Sequence, residues 1–202
     1  MPEERDEPSA EDGLTRIHSP SSRLGYLLAG LVGLVLALVV FGSVVAISLL
    51  TLPRGAGGQT APVSVDVPMP WGAAILALLL FIPLHELVHA VVHPGLGLSP
   101  RTVVVLWPVK LRFGVYYEGC MTLRRWLVMR LAPLACLSVI PVALLMLVEI
   151  GPTFFALEIF WQVLTLVNLV GSGGDVVAAI WVLRQVPAGA EICFRGGKAY
   201  WR

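Results

Sequence analysis

The chain has 202 residues, 57% of them hydrophobic and 13% charged, with a formal net charge of +1. Its mean hydropathy of +0.83 lies outside the range of soluble domains, and the near-neutral charge, with no basic cluster, argues against nucleic acid as a partner. A polytopic membrane protein, with the lipid bilayer as solvent, remains.

In chain order, residues 1–23 mix Pro, Ser, Glu and Asp and are expected to form a disordered tail. Apolar stretches follow at residues 24–52, 71–92, 131–150 and 154–183, each matching the roughly 20 residues that cross a bilayer. The first is too long for a cleaved signal peptide, and the tail before it is too acidic. Residues 52–70, rich in Gly and Pro, predict a flexible external linker.

Residues 102–123 differ in kind, being β-branched and aromatic, broken at Pro108 and flanked by Gly119, and they predict a β-hairpin. Leu111, Phe113, Val115 and Tyr117 alternate there with Arg112, Gly114, Tyr116 and Glu118, as in a strand with one wet face. Such a hairpin either connects two spans or offers an edge strand to an extended substrate. The tail at residues 188–202 predicts a short strand or a surface segment. The expected fold class is therefore all-α membrane: four transmembrane helices within residues 24–187 and a small cytoplasmic β-hairpin between helices two and three.

Orientation follows from the 14 Lys and Arg residues: three lie before the first span, one in the first loop, six between Arg101 and Arg130, none in the third turn and four at the end. Cations flank cytoplasmic span ends, so both termini and the hairpin are expected in the cytoplasm of a bacterial cell. Trp71, Trp126 and Trp181 fall near predicted helix ends, where indoles anchor at the interface. Cys120, Cys136 and Cys193 are odd in number and widely spaced, implying neither a disulfide framework nor a thiolate metal site; Cys136 is expected to be a packed core thiol.

The second span carries the chemistry. Its segment FIPLHELVHAVV, residues 81–92, places three ionisable groups where each costs roughly 3 kcal/mol to insert. On a helix His85 and His89 lie one turn apart on one face, able to hold one metal ion, with Glu86 on the adjoining edge; this is the HExxH spacing. A catalytic zinc usually takes three protein ligands. His93 is two turns, or about 12 Å, from His85, too far for a straight helix to bring both to one ion. Asp175, in the run GSGGD at residues 171–175, is a carboxylate inside the fourth span at a matching depth, and small residues there permit close helix approach or loosen the helix. Glu86 is left to accept a proton from water and return it to a leaving amine. Asn168 lies two turns before Asp175 on the same face, a candidate for substrate or ligand-supporting contacts, as is Ser172.

HELVH in a membrane helix, followed about 90 residues later by an aspartate in a Gly-rich span, resembles the site-2 protease group of intramembrane zinc metalloproteases. It is more closely similar to a family of small bacterial membrane proteins described as "putative zincin peptidases", in which HELxHA precedes a late GGD or SGD motif. The resemblance implies that His85, His89 and Asp175 bind Zn2+, that Glu86 is the catalytic carboxylate, and that the substrate is a membrane protein or peptide. Where site-2 proteases usually carry an Asn-Pro-rich run ending in Asp-Gly, this chain has NLVGSGGDV at residues 168–176. The alternative function is a non-catalytic membrane protein that binds or moves a divalent metal through the same cluster, which would have no use for an unliganded Glu86.

Overall fold

A computed structural model describes residues 13–51, 69–107, 112–147, 154–195 and 198–202. The expected linker, apart from its last two residues, and residues 1–12 of the tail lie outside these. Four helical stretches, Ser22–Ile47, Trp71–Val92, Leu123–Leu147 and Phe155–Leu183, are long and apolar enough to cross a membrane. The first two belong to the single helices α1 (Ser22–Thr51) and α2 (Trp71–Val92). The third is α3 (Leu123–Leu134), a π-helical turn (Ala135–Val139) and α4 (Ile140–Leu147); the fourth is α5 (Phe155–Gly171) and α6 (Gly173–Leu183).

The third stretch starts at Leu123 rather than at 131. Thr122 caps it, its hydroxyl accepting the Arg125 amide at 3.3 Å, and an arginine-rich first turn is compatible with a helix even though it lowers hydropathy. Arg125 also donates from Nε and Nη2 to the Val92 carbonyl at 3.3 and 3.2 Å, so a cation sits on the last turn of α2 and ties it to α3. Helix α2 ends because His93, its C-terminal cap, precedes Pro94, which excludes the α conformation.

The predicted hairpin is present: β2 (Thr102–Trp107) pairs antiparallel with β3 (Arg112–Tyr117), from Thr102↔Tyr117 to Trp107↔Arg112. Glu118 donates its amide to the Arg101 carbonyl at 2.7 Å, which marks Thr102↔Tyr117 as a non-hydrogen-bonded pair. By alternation Val104↔Val115 is another, so the Val115 amide faces away from β2, along the free edge of β3.

An all-α core with one hairpin understates the strand content. A second sheet of four strands, in the order β1-β6-β5-β4, joins β1 (Thr15–Arg16), β4 (Cys120–Thr122), β5 (Glu191–Arg195) and β6 (Lys198–Trp201). The amino-terminal tail is thus ordered at Thr15–Arg16, which pair with Trp201 and Tyr200. It is also tied to the end of the fourth stretch, since Gln185 accepts the His18 amide at 3.0 Å and donates to its carbonyl at 2.9 Å.

Cys120 and Cys193 stand opposite each other in β4 and β5 and are disulfide-bonded, correcting the expectation of no disulfide. Separated by 73 residues, they give no local spacing signal; the sheet brings them together. Cys136 is exposed, not packed, because the π-helical turn faces it outward. Trp126 is 2% exposed, an interior residue rather than an anchor. With Met121, Met129, Val182 and Ile192 it forms a core between the second sheet, the start of α3 and the end of α6. Burying each large apolar side chain there stabilises by about 1.5–3 kcal/mol.

Candidate metal centre

Asp175, in the first turn of α6, meets His85 and His89 from the middle of α2. Asp175 Oδ2 lies 3.1 Å from His85 Nε2 and 3.3 Å from His89 Nε2. The ligand-capable atoms of the three residues fall within 4.8 Å of one another, and all three side chains are buried. A carboxylate in the first turn also sits at the positive end of its helix dipole. The structure therefore brings together the three residues expected from sequence. His93 stays outside the group: it is fully buried, its two ring nitrogens have no hydrogen-bond partner, and its ring lies 5.9 Å from that of Tyr117. Burial, then the neighbouring charges of His89, Arg125 and Arg130, push its pKa from 6.5 down to about 4.

What lies behind each ligand determines which nitrogen faces the centre. His89 Nδ1 is 2.9 Å from the Met129 carbonyl, an acceptor only, so Nδ1 carries a proton and Nε2 is the nitrogen that a metal at the centre would take. That carbonyl is available because the residue four positions on is Pro133, which has no N–H to give it. His85 Nδ1 is 2.8 Å from Asn168 Oδ1. Asn168 Nδ2 donates to the Pro133 carbonyl at 2.9 Å and to Ser138 Oγ at 2.7 Å, which fixes the amide so that its oxygen faces His85. His85 Nδ1 then donates, and its Nε2 also faces the centre, 3.1 Å from Asp175 Oδ2.

The proline logic recurs at Pro141. Four residues before it, the Leu137 carbonyl accepts the Thr165 hydroxyl at 3.3 Å, while Ser138 Oγ donates to the Thr165 carbonyl at 3.4 Å. The π-helical turn, a local widening that recurs at functional sites, carries both Leu137 and Ser138.

Asp175 Oδ1 accepts from Arg130 Nη1 at 2.9 Å, which leaves Oδ2 for the centre. Arg130 was counted from sequence only as a topological charge. The missed signal is that it lies inside the third helical stretch, where a cation calls for a carboxylate partner. With both Nε2 atoms deprotonated, as metal ligands are, two imidazole nitrogens and a carboxylate oxygen buried together would be three acceptors without a donor, a costly state that a divalent cation relieves. The donor set suits zinc.

Glu86 is half-buried beside this group, and its Oε2 accepts the free-edge amide of Val115 at 2.8 Å. The hairpin edge and the glutamate thus meet next to the histidines. Asn168 is buried behind His85, in the supporting position expected for it. Ser172 is buried at the break between α5 and α6, its hydroxyl without a hydrogen-bond partner.

The glycines around that break explain the close packing. A Cβ on Gly173 would strike the Ala29 carbonyl of α1, and one on Gly171 would strike the Phe81 ring of α2. Phe81 in turn packs edge-on against the His85 ring at 5.7 Å. The glycine run therefore serves α1 as well as the α2 contact expected for it.

Comparison with known proteins agrees with this geometry. No curated protein and no solved structure matches the chain. A family model described as "putative zincin peptidase" matches residues 78–190, which takes in α2 from residue 78 on, the hairpin and all three candidate ligands. With more than half of its length matched, the chain belongs to the putative zincin peptidase family.

Proposed function

We propose that this protein is an intramembrane zinc metallopeptidase that hydrolyses peptide bonds of membrane-associated proteins or peptides. The observation that carries the proposal is the convergence of His85 Nε2, His89 Nε2 and Asp175 Oδ2 beside a carboxylate that is not needed as a ligand. In this reading His85, His89 and Asp175 hold the metal. A zinc ion bound there supplies Lewis acidity toward a substrate carbonyl and lowers the pKa of a coordinated water.

Glu86, with one oxygen held by the Val115 amide, keeps the other oriented to take a proton from water and deliver it to the departing amine. Asn168 and the Met129 carbonyl hold the imidazole tautomers, and Arg130 holds the Asp175 carboxylate. A helical substrate segment hides its amides and must unwind before it is cut; the free edge of β3 offers backbone groups to the extended form within reach of Glu86.

Membrane insertion is supported by the outward apolar faces of the helical stretches: Leu27, Leu31, Leu38, Leu79 and Leu147 are all more than half exposed in the isolated chain. In this reading both termini and both sheets face the cytoplasm of a bacterial cell. That placement is supported by the sequence positions of the cations, with three before the first stretch, six between Arg101 and Arg130, four at the end and one, Arg54, in the first loop, and it is opposed by the disulfide of the second sheet.

The test is substrate turnover in native membranes. Mass-spectrometric mapping of new protein termini should find membrane-protein cleavages that need wild-type protein and vanish with Glu86→Gln, a loss of about 100- to 10,000-fold. Cleavages that persist in Glu86→Gln at equal metal content would instead favour a metal-holding protein without hydrolytic activity.

A further inference from the structure

Residues 94–98, PGLGL, turn back on α2 instead of leading away from it. Gly97, at φ +78°, lies so close to the last turn of α2 that a Cβ there would strike the Ala90 carbonyl. The turn therefore sits at the level of Ala90, within about 3 Å of the helix end and inside a stretch long and apolar enough to cross a membrane. Two leucines project from it. Leu98 is 89% exposed and Leu96 69%, and on the adjacent helix Leu87 and Val91, one turn apart, are exposed as well, so the outward apolar face of α2 continues onto the turn. Beyond it Ser99 and Arg101 restore a polar surface.

Among the described residues Leu96 is the one non-glycine with a positive φ, +55°. That conformation suits Gly or Asn and disfavours leucine, so an apolar side chain is kept here against a backbone cost. The turn also closes its own amides: Leu96 donates to the His93 carbonyl and Leu98 to the Gly95 carbonyl, each at 3.0 Å. Where water is scarce an unpaired amide is costly, and irregular backbone must satisfy its donors internally. A loop in bulk water needs neither the leucines nor the closed amides.

We infer that residues 94–98 are seated in the bilayer at the boundary between headgroups and acyl chains, with Leu96 and Leu98 directed into lipid. This rests on reading the four stretches as membrane spans, and it adds a fifth point of contact between them. Phospholipid is the occupant rather than a partner protein, because two side chains fall far short of the roughly 800 Å² that a stable protein interface covers on each partner, and because the patch continues a helix face that is itself unpartnered. Thr102, the first residue of β2, donates its amide to the Ser99 carbonyl at 2.9 Å, so the seated turn holds the base of the hairpin at the bilayer surface.

The test uses the full-length protein carrying Cys136→Ser, which removes the exposed free thiol, reconstituted in vesicles of phosphatidylethanolamine and phosphatidylglycerol. Leu98→Cys and Leu96→Cys are each spin-labelled, and the signal of the Cys136→Ser parent treated in the same way is subtracted. Collisions with oxygen, which concentrates among acyl chains, and with a water-soluble nickel chelate are read by power saturation of the electron paramagnetic resonance signal. Leu79→Cys, on the exposed face in the middle of α2, is the lipid reference, and Ala188→Cys, exposed at a similar distance past the end of α6, is the aqueous one. Circular dichroism checks the fold of each variant.

Oxygen collisions should exceed nickel collisions at both leucine positions, with a ratio nearer that of Leu79 than that of Ala188. A ratio at the Ala188 level, with Leu79 still reading as lipid, overturns the inference and leaves the spans intact. Few collisions with either reagent would mean that protein covers the turn, and would overturn it too. Nickel collisions dominating at Leu79 itself would overturn the spanning reading, and the inference with it.

Discussion

Replacing Pro133 with Ala should stabilise the fold and weaken the metal site together. Alanine restores an N–H four residues after Met129, aimed at the carbonyl that now accepts His89 Nδ1 at 2.9 Å. Proline inside a helix costs about 3 kcal/mol, so the variant gains up to that much, less whatever the native kink already recovers. The restored amide competes with His89 for the carbonyl, and an imidazole that loses its supporting acceptor typically binds metal about 10- to 100-fold more weakly, or about 1.4–2.8 kcal/mol. Zinc affinity is read by competition with a chromophoric chelator, and stability by thermal unfolding of the metal-free protein. Pro141→Ala is the control: it restores an amide toward Leu137, whose carbonyl serves Thr165 and no metal ligand, and it should leave zinc affinity within about threefold. Unchanged affinity in a folded Pro133→Ala protein, or equal losses in both variants, would refute the idea that the missing proline amide sets up the site.

Three further outcomes are expected. Val115→Pro removes the donor to Glu86 while sparing the β2–β3 ladder, so turnover should fall with zinc content unchanged, whereas Val103→Pro strikes a ladder amide and should disturb the hairpin itself; full activity in Val115→Pro would reduce the edge to a connector. His93 has a folded pKa near 4 against 6.5 unfolded, so the unfolded chain binds the extra proton between those values and stability should fall as pH drops from 6.5 to 4; His93→Leu should remove up to one proton's worth of that slope, about 1.4 kcal/mol per pH unit, and an unaltered slope in denaturant titrations contradicts the assignment. If the sheets face the cytoplasm, Cys120 and Cys193 should be reduced in growing cells and label with maleimide after acid trapping, whereas a pair already oxidised in trapped cells would put that sheet, and both termini, outside.

The parts of this protein that were legible in its sequence are those with short-range or strongly physical signatures. His85 and His89 declare themselves by one-turn spacing in an apolar helix, and Asp175 by being a carboxylate where a carboxylate is expensive. The hairpin shows through its alternation. What the sequence hid depends on long-range pairing or on backbone atoms. No local pattern announces that Thr15 and Arg16 will meet Trp201 and Tyr200, or that Cys120 will face Cys193. The Met129 carbonyl has no side-chain letter, and its availability depends on a proline that reads simply as a helix irregularity. Arg130 was misplaced because hydropathy alone starts the third span too late, outside the helix that in fact holds it.

The account rests on one metal centre made by His85, His89 and Asp175, and zinc stoichiometry of the purified protein tests it most directly. Mass-spectrometric metal analysis should find about one zinc per chain in wild type and in His93→Ala, and a small residual fraction in His85→Ala, His89→Ala and Asp175→Ala, each with the fold checked by circular dichroism. Full zinc in folded Asp175→Ala, or loss of zinc in His93→Ala, would contradict it.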